Sequence, residues 1–187
     1  MSIERSITLS QHPSAPAEAV RAIEALVRRT AAELQIIFRL EGDVSSILVP
    51  PQSAPCFAAQ LWRHTCFEAF IAADERPGYN EFNFAPSGEW AVYAFSGYRN
   101  GGPLTRDAMR PRINLRSMKN HLELDAAVRL ASLSATHPRA SLHIGLAAIV
   151  ETIGGLSYWA LRHPADKPDF HHADGFALRL EPPHREG

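Results

Sequence analysis

Polar side chains able to bind a ligand are concentrated in a few segments, and the first begins an apolar strand. It holds Trp62, Arg63, His64 and Glu68. A charged group inside an apolar strand is costly to bury without a partner. We therefore expect Arg63 and Glu68 either to pair with each other or to bind a polar ligand. Glu68 is expected to be a buried, hydrogen-bonded carboxylate, with Arg63, Arg99 or a ligand hydroxyl as its partner.

Two further polar residues are candidates for the same site. Asn83 shares its strand face with Tyr79 and Glu81, because alternate residues of a strand point to the same side. Arg99 follows the next predicted strand. The sequence predicts that Asn83 and Arg99 line one concave face together with Glu68, although each could instead have a purely structural role.

Three tryptophans could stack on the apolar face of a sugar ring, because an aromatic ring buries a large area at little cost in entropy. Trp90 alternates with Val92 and Ala94, which indicates a core position. Trp62 and Trp159 are the candidate ligand platforms. The strand pattern around Trp159 fits the core equally well.

The densest polar cluster is the segment 163–174, called the histidine loop below. It contains three histidines and three aspartates. Imidazole and carboxylate groups together suit zinc or manganese, so His163, Asp169, His171 and His172 are candidate metal ligands. Adjacent histidines would point apart in a strand. The alternative is a loop that closes the fold, with its side chains hydrogen-bonded to loop amides.

Composition limits the class of protein. The chain has 187 residues, 45% of them hydrophobic and 21% charged, with a formal net charge of -1. This suits one globular domain and gives no sign of a nucleic-acid partner. The basic stretch 106–119 is interpreted as a solvated face. The two cysteines, Cys56 and Cys66, could form only one disulfide, which a domain of this size does not need, so we expect free thiols. We find no signal peptide or membrane-spanning run, and expect a cytoplasmic protein without a membrane partner.

Sequence motifs of common enzyme classes are missing. Pro86-Ser87-Gly88 lacks the first glycine of a nucleophile elbow, and the chain has no Walker loop, dinucleotide-binding glycine pattern or His-Glu-x-x-His. Glu68 and Glu81 could form an acid and base pair only if their strands bring them together. The sequence thus favours a binding protein over an enzyme.

Short runs with period-two alternation recur along the chain and are separated by glycine, proline, asparagine and aspartate clusters. The clearest has Leu34, Ile36, Phe38 and Leu40 on one face. The segment 17–30 has a helix-like composition, but its place before a strand favours a strand. About ten such strands predict an all-β fold, a two-sheet antiparallel β-sandwich of the jelly-roll or immunoglobulin-like type.

Three segments resemble the DOMON-like superfamily, the β-sandwich group that includes family 9 carbohydrate-binding modules and haem-binding DOMON cytochromes. They are WRHTCFEAF at 62–70, EFNFAPSGEWA at 81–91, and the stretch from Ser157 to Phe176 that contains PDFHH. The chain looks most like bacterial stand-alone DOMON-like proteins that carry nearly the same strings. The resemblance covers roughly residues 34–180.

The resemblance implies binding of a saccharide or a similar polar ligand on one sandwich face. Thr65 stands where related modules have an aspartate, so of that acidic pair Glu68 alone remains. The haem-binding members use Met and His axial ligands, and Met109 and Met118 lie in a basic stretch with no matching motif. Neither haem nor a divalent metal is therefore supported by a matched set of ligands.

Together these observations predict a single DOMON-like domain over 1–187, with a core over roughly 18–180 and short irregular tails. The leading hypothesis is a non-catalytic module that binds a small polar ligand. The alternatives are a haem- or metal-binding protein and a metal-dependent hydrolase that uses the histidine loop.

Overall fold

The protein is an antiparallel β-sandwich. The computed structural model describes residues 2–15, 18–74, 76–134 and 136–183. Their strands are β1 (Ile3–Gln11), β2 (Val20–Arg29), β3 (Glu33–Gly42), β4 (Cys66–Ala73), β5 (Tyr79–Phe84), β6 (Trp90–Gly97), β7 (Asn100–Pro103), β8 (Arg112–Ser117), β9 (His121–Arg129), β10 (Leu142–Thr152), β11 (Gly155–Ala160) and β12 (Leu178–Leu180). One short α-helix, Leu130–Leu133, and four 3-10 turns lie between strands. No helix in these residues has the length and apolar character of a membrane span.

The first layer has the strand order β1-β2-β3-β9-β8. Alternation decides which side of each strand is buried, as predicted for Leu34, Ile36, Phe38 and Leu40, all of which are in the core. The predicted strand within 17–30 is confirmed as β2, and Ala17 lies outside the described residues. This layer turns its polar residues to solvent and its apolar residues to the second layer.

The second layer has the order β7-β6-β5-β4-β10-β11, and β12 pairs with β10 beside β11. The central strands β4 and β10 are buried on almost every residue, so both of their faces are covered. One face of β4 packs Phe67, Ala69 and Ile71 into the core between the layers. Its other face, which carries Glu68, forms part of the candidate site.

Aromatic and aliphatic side chains fill the space between the layers. The ring centroids of Phe38 and Phe67, one from each layer, lie 5.0 Å apart. Trp90 belongs to this core, as its alternation with Val92 predicted. The free thiol of Cys66 is buried and Cys56 is exposed, so neither forms a disulfide in this structure.

Strand β1 connects the two layers, and the sequence analysis missed it. Ile3 to Leu9 pair with β2 in the first layer, whereas Ser10 and Gln11 pair with β11 in the second. The expected irregular N-terminal tail is therefore wrong for residues 3–11. The alternation of Ile3, Ile7 and Leu9 with polar residues is the strand signal, but it is short and contains only three large apolar side chains.

A glycine residue allows the tight connection between β10 and β11. Ile153 and Gly154 form the turn, and Gly155 opens β11 at a φ of +117°, which favours glycine. The glycine-containing strand β7 lies at the edge of the second layer.

Candidate functional site

The outer face of the second layer is concave and carries two acidic residues side by side in the sheet. Glu68 of β4 lies opposite Asn83 of β5, and the next outward-facing residue of β5 is Glu81. Glu81 in turn lies opposite Tyr93 of β6. Diagonal neighbours on one sheet face have their Cα atoms about 7–8 Å apart, so the charge of Glu81 acts on Glu68.

A cavity of about 480 Å³ lies over these residues. Three structures enclose it: the sheet as its floor, the 3-10 turn Leu61–Arg63 at one side, and the histidine loop as its cover. Its lining residues are Trp62, Arg63, Glu68, Glu81, Tyr93, Phe95, Arg99, Ile149, Leu156, Tyr158, Pro168, Phe170 and His171. Aromatic rings and a few polar groups are the usual lining of a small-molecule site.

Glu68 opens onto the cavity without a hydrogen-bond partner among the described residues. Its side chain lines the cavity but only 3% of the residue is exposed. Among the described residues its carboxyl group has no hydrogen-bond partner and no ion pair, contrary to the expected pairing with Arg63 or Arg99. Burial, together with the charge of Glu81, raises the pKa of Glu68 well above its ordinary range, and Arg99 offsets part of this effect.

Glu81 is also buried, with 4% exposed, but it has a partner. The Asn83 amide donates a hydrogen bond of 2.7 Å to its Oε1 atom. Burial raises the pKa of Glu81 to about 7, against the opposing effects of the Asn83 hydrogen bond and of Arg99. The cavity floor therefore gathers two carboxyl groups that burial drives towards the protonated form.

His171 reaches the same floor from the histidine loop. The Nδ1 atom lies 2.8 Å from the Tyr79 hydroxyl, and that hydroxyl accepts a hydrogen bond of 3.2 Å from the Arg99 backbone N–H. Tyr79 is then free to donate to Nδ1, which assigns the ring hydrogen to Nε2, 3.6 Å from the Glu81 carboxylate. Burial and the nearby Arg99 lower the pKa of His171 to about 4, so the ring is neutral at pH 7.

Asp169 fastens the histidine loop to the β6–β7 turn. It accepts hydrogen bonds from the Tyr98 hydroxyl at 2.7 Å and from the Arg99 guanidinium at 2.9 Å, and it also accepts one from the His171 backbone N–H. Burial opposes ionisation of Asp169, but the hydrogen bonds outweigh it and lower the pKa. Arg99 adopts a left-handed backbone conformation, φ +52°, which shapes this turn.

Several of the predicted ligand-binding residues meet at this cavity. Trp62, Arg63, Glu68 and Arg99 line it, and so does His171, which was predicted only as a metal ligand. Trp62 presents an exposed ring, 38% exposed, whose centroid lies 5.7 Å from that of Tyr93.

Asn83 lies just behind the cavity. It is fully buried and contributes through its hydrogen bond to Glu81 rather than through the lining. The neighbouring Cys66 thiol donates a weak hydrogen bond to the Asn83 amide oxygen at 3.7 Å. Asn83 is thus placed to orient Glu81.

Two other predicted ligand-binding residues lie elsewhere. The His64 ring points away from the cavity to the Glu151 carboxylate, with Nδ1 2.8 Å from Oε2. Trp159 is 5% exposed and packs between the layers, where its indole N–H donates to the Ser157 hydroxyl at 3.1 Å. The strand pattern around Trp159 allowed both faces, and packing selected the core face.

The four predicted metal ligands are not brought together. His163 contacts the Ser10 carbonyl at 2.7 Å, and His172 accepts a hydrogen bond from the Asp174 backbone N–H, while Asp169 and His171 have the partners given above. Within the described ranges, no three His, Cys, Asp or Glu side chains are grouped as a metal site requires. Asp169 and His172 accept hydrogen bonds from loop amides, as the structural alternative predicted, whereas His163 and His171 bond to groups outside the loop.

The residues also do not fit haem ligation. Met109 is buried in the core and Met118 is exposed on the β8–β9 connection, so neither reaches the cavity. The lining has a single histidine, whose Nδ1 atom is already occupied by Tyr79.

Several lining residues were not selected from the sequence. Glu81 was considered only as an acid and base partner of Glu68, and the aromatic side chains of Tyr93, Phe95 and Tyr158 were not singled out. The signal was available in principle, because Tyr93 and Phe95 alternate with core residues of β6 and so face outward. Knowing that this outer face is covered requires the position of the histidine loop.

Known structures share this fold. No protein-family model matches the chain, and no curated protein matches it. A candidate carbohydrate-binding protein from Bacteroides uniformis ATCC 8492 superposes with a TM-score of 0.67 at 10% identity, covering 91% of this chain and 83% of its own. A family 9 carbohydrate-binding module from Caldicellulosiruptor kristjanssonii, in complex with glucose, superposes with a TM-score of 0.55 at 8% identity, covering 88% and 78%. The chain therefore has the β-sandwich fold of carbohydrate-binding modules.

Proposed function

We propose that this protein is a non-catalytic, DOMON-like module that binds a saccharide or a similar small polar ligand in the cavity above Glu68. The observation that carries the proposal is the Glu68 carboxyl group, which lines the cavity, is almost fully buried and has no partner among the described residues. A typical hydrogen bond contributes about 0.5–1.5 kcal/mol. A ligand hydroxyl at this position would supply the bond that the described residues do not.

The cavity suits a sugar in size and lining. Its volume of about 480 Å³ falls within the range of small-molecule sites, about 300–1,000 Å³. Trp62 and Tyr158 present aromatic rings on which the apolar face of a pyranose could stack. Arg63 lies exposed at the mouth, where its guanidinium could donate to ring hydroxyls.

The structural neighbours support the same class of ligand. One of them is a family 9 module with bound glucose, and another is a candidate carbohydrate-binding protein. Haem binding and metal-dependent hydrolysis are not proposed, because no group of described residues favours them.

Isothermal titration calorimetry with glucose, galactose, mannose, xylose and cellobiose tests the proposal. We expect Glu68→Ala and Trp62→Ala each to weaken binding about tenfold or more, since they remove a buried hydrogen bond and a stacking surface. Glu24→Ala is the matched control, because Glu24 is an exposed acid on β2 of the other layer. No heat of binding for any neutral or amino sugar, or equal affinity in all variants, would refute the proposal.

A further inference from the structure

The floor of the cavity carries two acidic groups that no charged basic side chain of the described residues contacts, although the charge of Arg99 acts on both from a distance. Glu68 and Glu81 are both more than nine-tenths buried and sit on neighbouring strands of one sheet face. Asn83 supplies Glu81 with a neutral hydrogen bond, and no described residue supplies one to Glu68. Buried ionised carboxylates are stable only when a cation or strong donors face them.

The nearby basic residues do not fill that role. The Arg99 guanidinium is engaged by Asp169 at 2.9 Å, which balances its charge. His171 is the one basic group within 4 Å of either carboxylate among the described residues, and burial keeps it neutral. Arg63 is exposed at the mouth and forms no ion pair in the described chain. A cation entering from solvent would meet two carboxyl groups that no charged basic side chain contacts in the described chain, and of the two only Glu81 has a hydrogen bond, from the Asn83 amide.

The aromatic residues that line the cavity also favour binding of a cation. Trp62, Tyr93, Phe95, Tyr158 and Phe170 line the same space. The faces of aromatic rings carry negative electrostatic potential and attract ammonium groups, more strongly where water is excluded. A metal ion fits poorly, because two carboxylates lack a third ligand in the described residues and rings supply none.

We propose that the ligand carries a primary ammonium group, as an amino sugar does, and that this group binds against Glu68 and Glu81 on the cavity floor. The inference rests on the proposed saccharide function and specifies its chemistry. The apolar face of the sugar stacks on the aromatic rings and its hydroxyls face Arg63, while the ammonium group lies against the two carboxyl groups. Binding releases a proton, since the free carboxyl groups hold protons that an adjacent ammonium group displaces.

Matched sugars that differ only in charge test this inference. Calorimetry at pH 7 compares glucosamine with glucose and N-acetylglucosamine, and galactosamine and mannosamine with their neutral counterparts. We expect at least one amino sugar to bind roughly tenfold or more tightly than both neutral partners. Titrations in phosphate and Tris buffers are expected to report proton release for that amino sugar and none for glucose.

Variants of the same shape test whether Glu68 and Glu81 cause the preference for the amino sugar. Glu68→Gln and Glu81→Gln keep the shape of the side chain but remove the carboxyl group, so we expect both to lose the preference for the amino sugar, measured as the ratio of its affinity to the affinity for glucose. Glu24→Gln is expected to keep it, and thermal unfolding of each variant checks that it is folded. Equal binding of neutral and amino sugars would overturn this inference and leave saccharide binding standing. No binding of any sugar would overturn both.

Discussion

Glu68 and Glu81 are held where carboxyl groups are least stable as anions. Each lies on the outward face of a central strand, is covered by the histidine loop, and has few or no hydrogen bonds within the described chain. A stability-optimised fold would place apolar residues at such positions. The pair therefore costs stability in the free protein, as residues at binding sites commonly do, and the proposed ligand would offset this cost.

The proton on Glu81 makes stability depend on pH. Below pH 4.5, the ordinary pKa of the group, Glu81 is protonated in both the folded and the unfolded chain. Between pH 4.5 and about 7 the unfolded chain ionises while the folded protein retains the proton, so folding stability falls; above pH 7 this loss is complete.

Glu81→Gln removes that loss, so the variant is expected to gain stability relative to the wild type from pH 4.5 to about 7. The gain should reach about 3 kcal/mol and then level off. Urea unfolding at several pH values measures it. His171 and His137, whose pKa values are lowered to about 4, act in the opposite direction but are present in both proteins. A pH-independent difference, like that expected for Glu24→Gln, would contradict the account.

At the scale of the element, the histidine loop forms the cover of the cavity, and Asp169 is its main attachment. Asp169 receives three hydrogen bonds, two of them from the β6–β7 turn. The other attachments are the bond of His171 to Tyr79, the bond of His163 to the Ser10 carbonyl and the packing of Phe170 against the sheet.

Asp169→Asn is expected to loosen the loop, because an amide cannot accept all three bonds in the same geometry or pair with Arg99. We expect faster backbone hydrogen exchange over 163–174 and weaker ligand binding, with a loss of global stability of about 1–2 kcal/mol. Exchange monitored by mass spectrometry measures this effect. Asp166→Asn, an exposed loop position, is the matched control. Unchanged exchange in Asp169→Asn would show that other contacts hold the cover.

The position of β12 depends on one buried arginine, Arg29. Arg29, the last residue of β2, donates hydrogen bonds to the backbone carbonyls of Leu180, His137 and Ala140. It thereby fixes β12 and the connection before β10 to the first layer. The sequence shows two adjacent arginines at the end of this strand, and alternation alone predicts that one of them points inward.

Arg29→Met is expected to lower the free energy of unfolding by about 3 kcal/mol or more, because three buried carbonyls lose their donors. Arg28→Met is the matched control. Arg28 is half-exposed and pairs with Glu4 at 2.6 Å, and its removal is expected to cost less than about 1 kcal/mol. Chemical denaturation measures the free energy of unfolding of both variants. Similar decreases in the two would contradict this role of Arg29.

At the scale of the whole molecule, the sandwich creates two kinds of surface on one sheet. The inner face of the second layer belongs to the core, whereas its outer face curves around the cavity. Strand β1 holds the layers in one connected sheet by pairing first with β2 and then with β11. A rigid double layer keeps the floor residues of the site on strands, where side-chain positions are well defined.

The alternation of apolar and polar residues along the strands predicted much of the fold and part of the candidate site. It predicted the inward face of β3, the core position of Trp90 and the outward face shared by Glu68 and Asn83, because each depends only on which side of a strand a residue occupies. It did not decide whether Trp159 lies in the core or at the surface, because both faces of its strand mix apolar residues with small or polar ones. It also could not show that Glu68 lacks a partner, which depends on the position of a distant loop.

Backbone amide chemical-shift mapping of the isotope-labelled protein, titrated with the tightest-binding sugar of the two panels, tests the central claim most directly. The account predicts shifts concentrated at the outward residues of β4, β5 and β6, at the turn Leu61–Arg63 and in the histidine loop. It predicts none along β2, β3 and β9 of the other layer. Saturable shifts confined to that other layer, or no shifts at millimolar sugar, would contradict it.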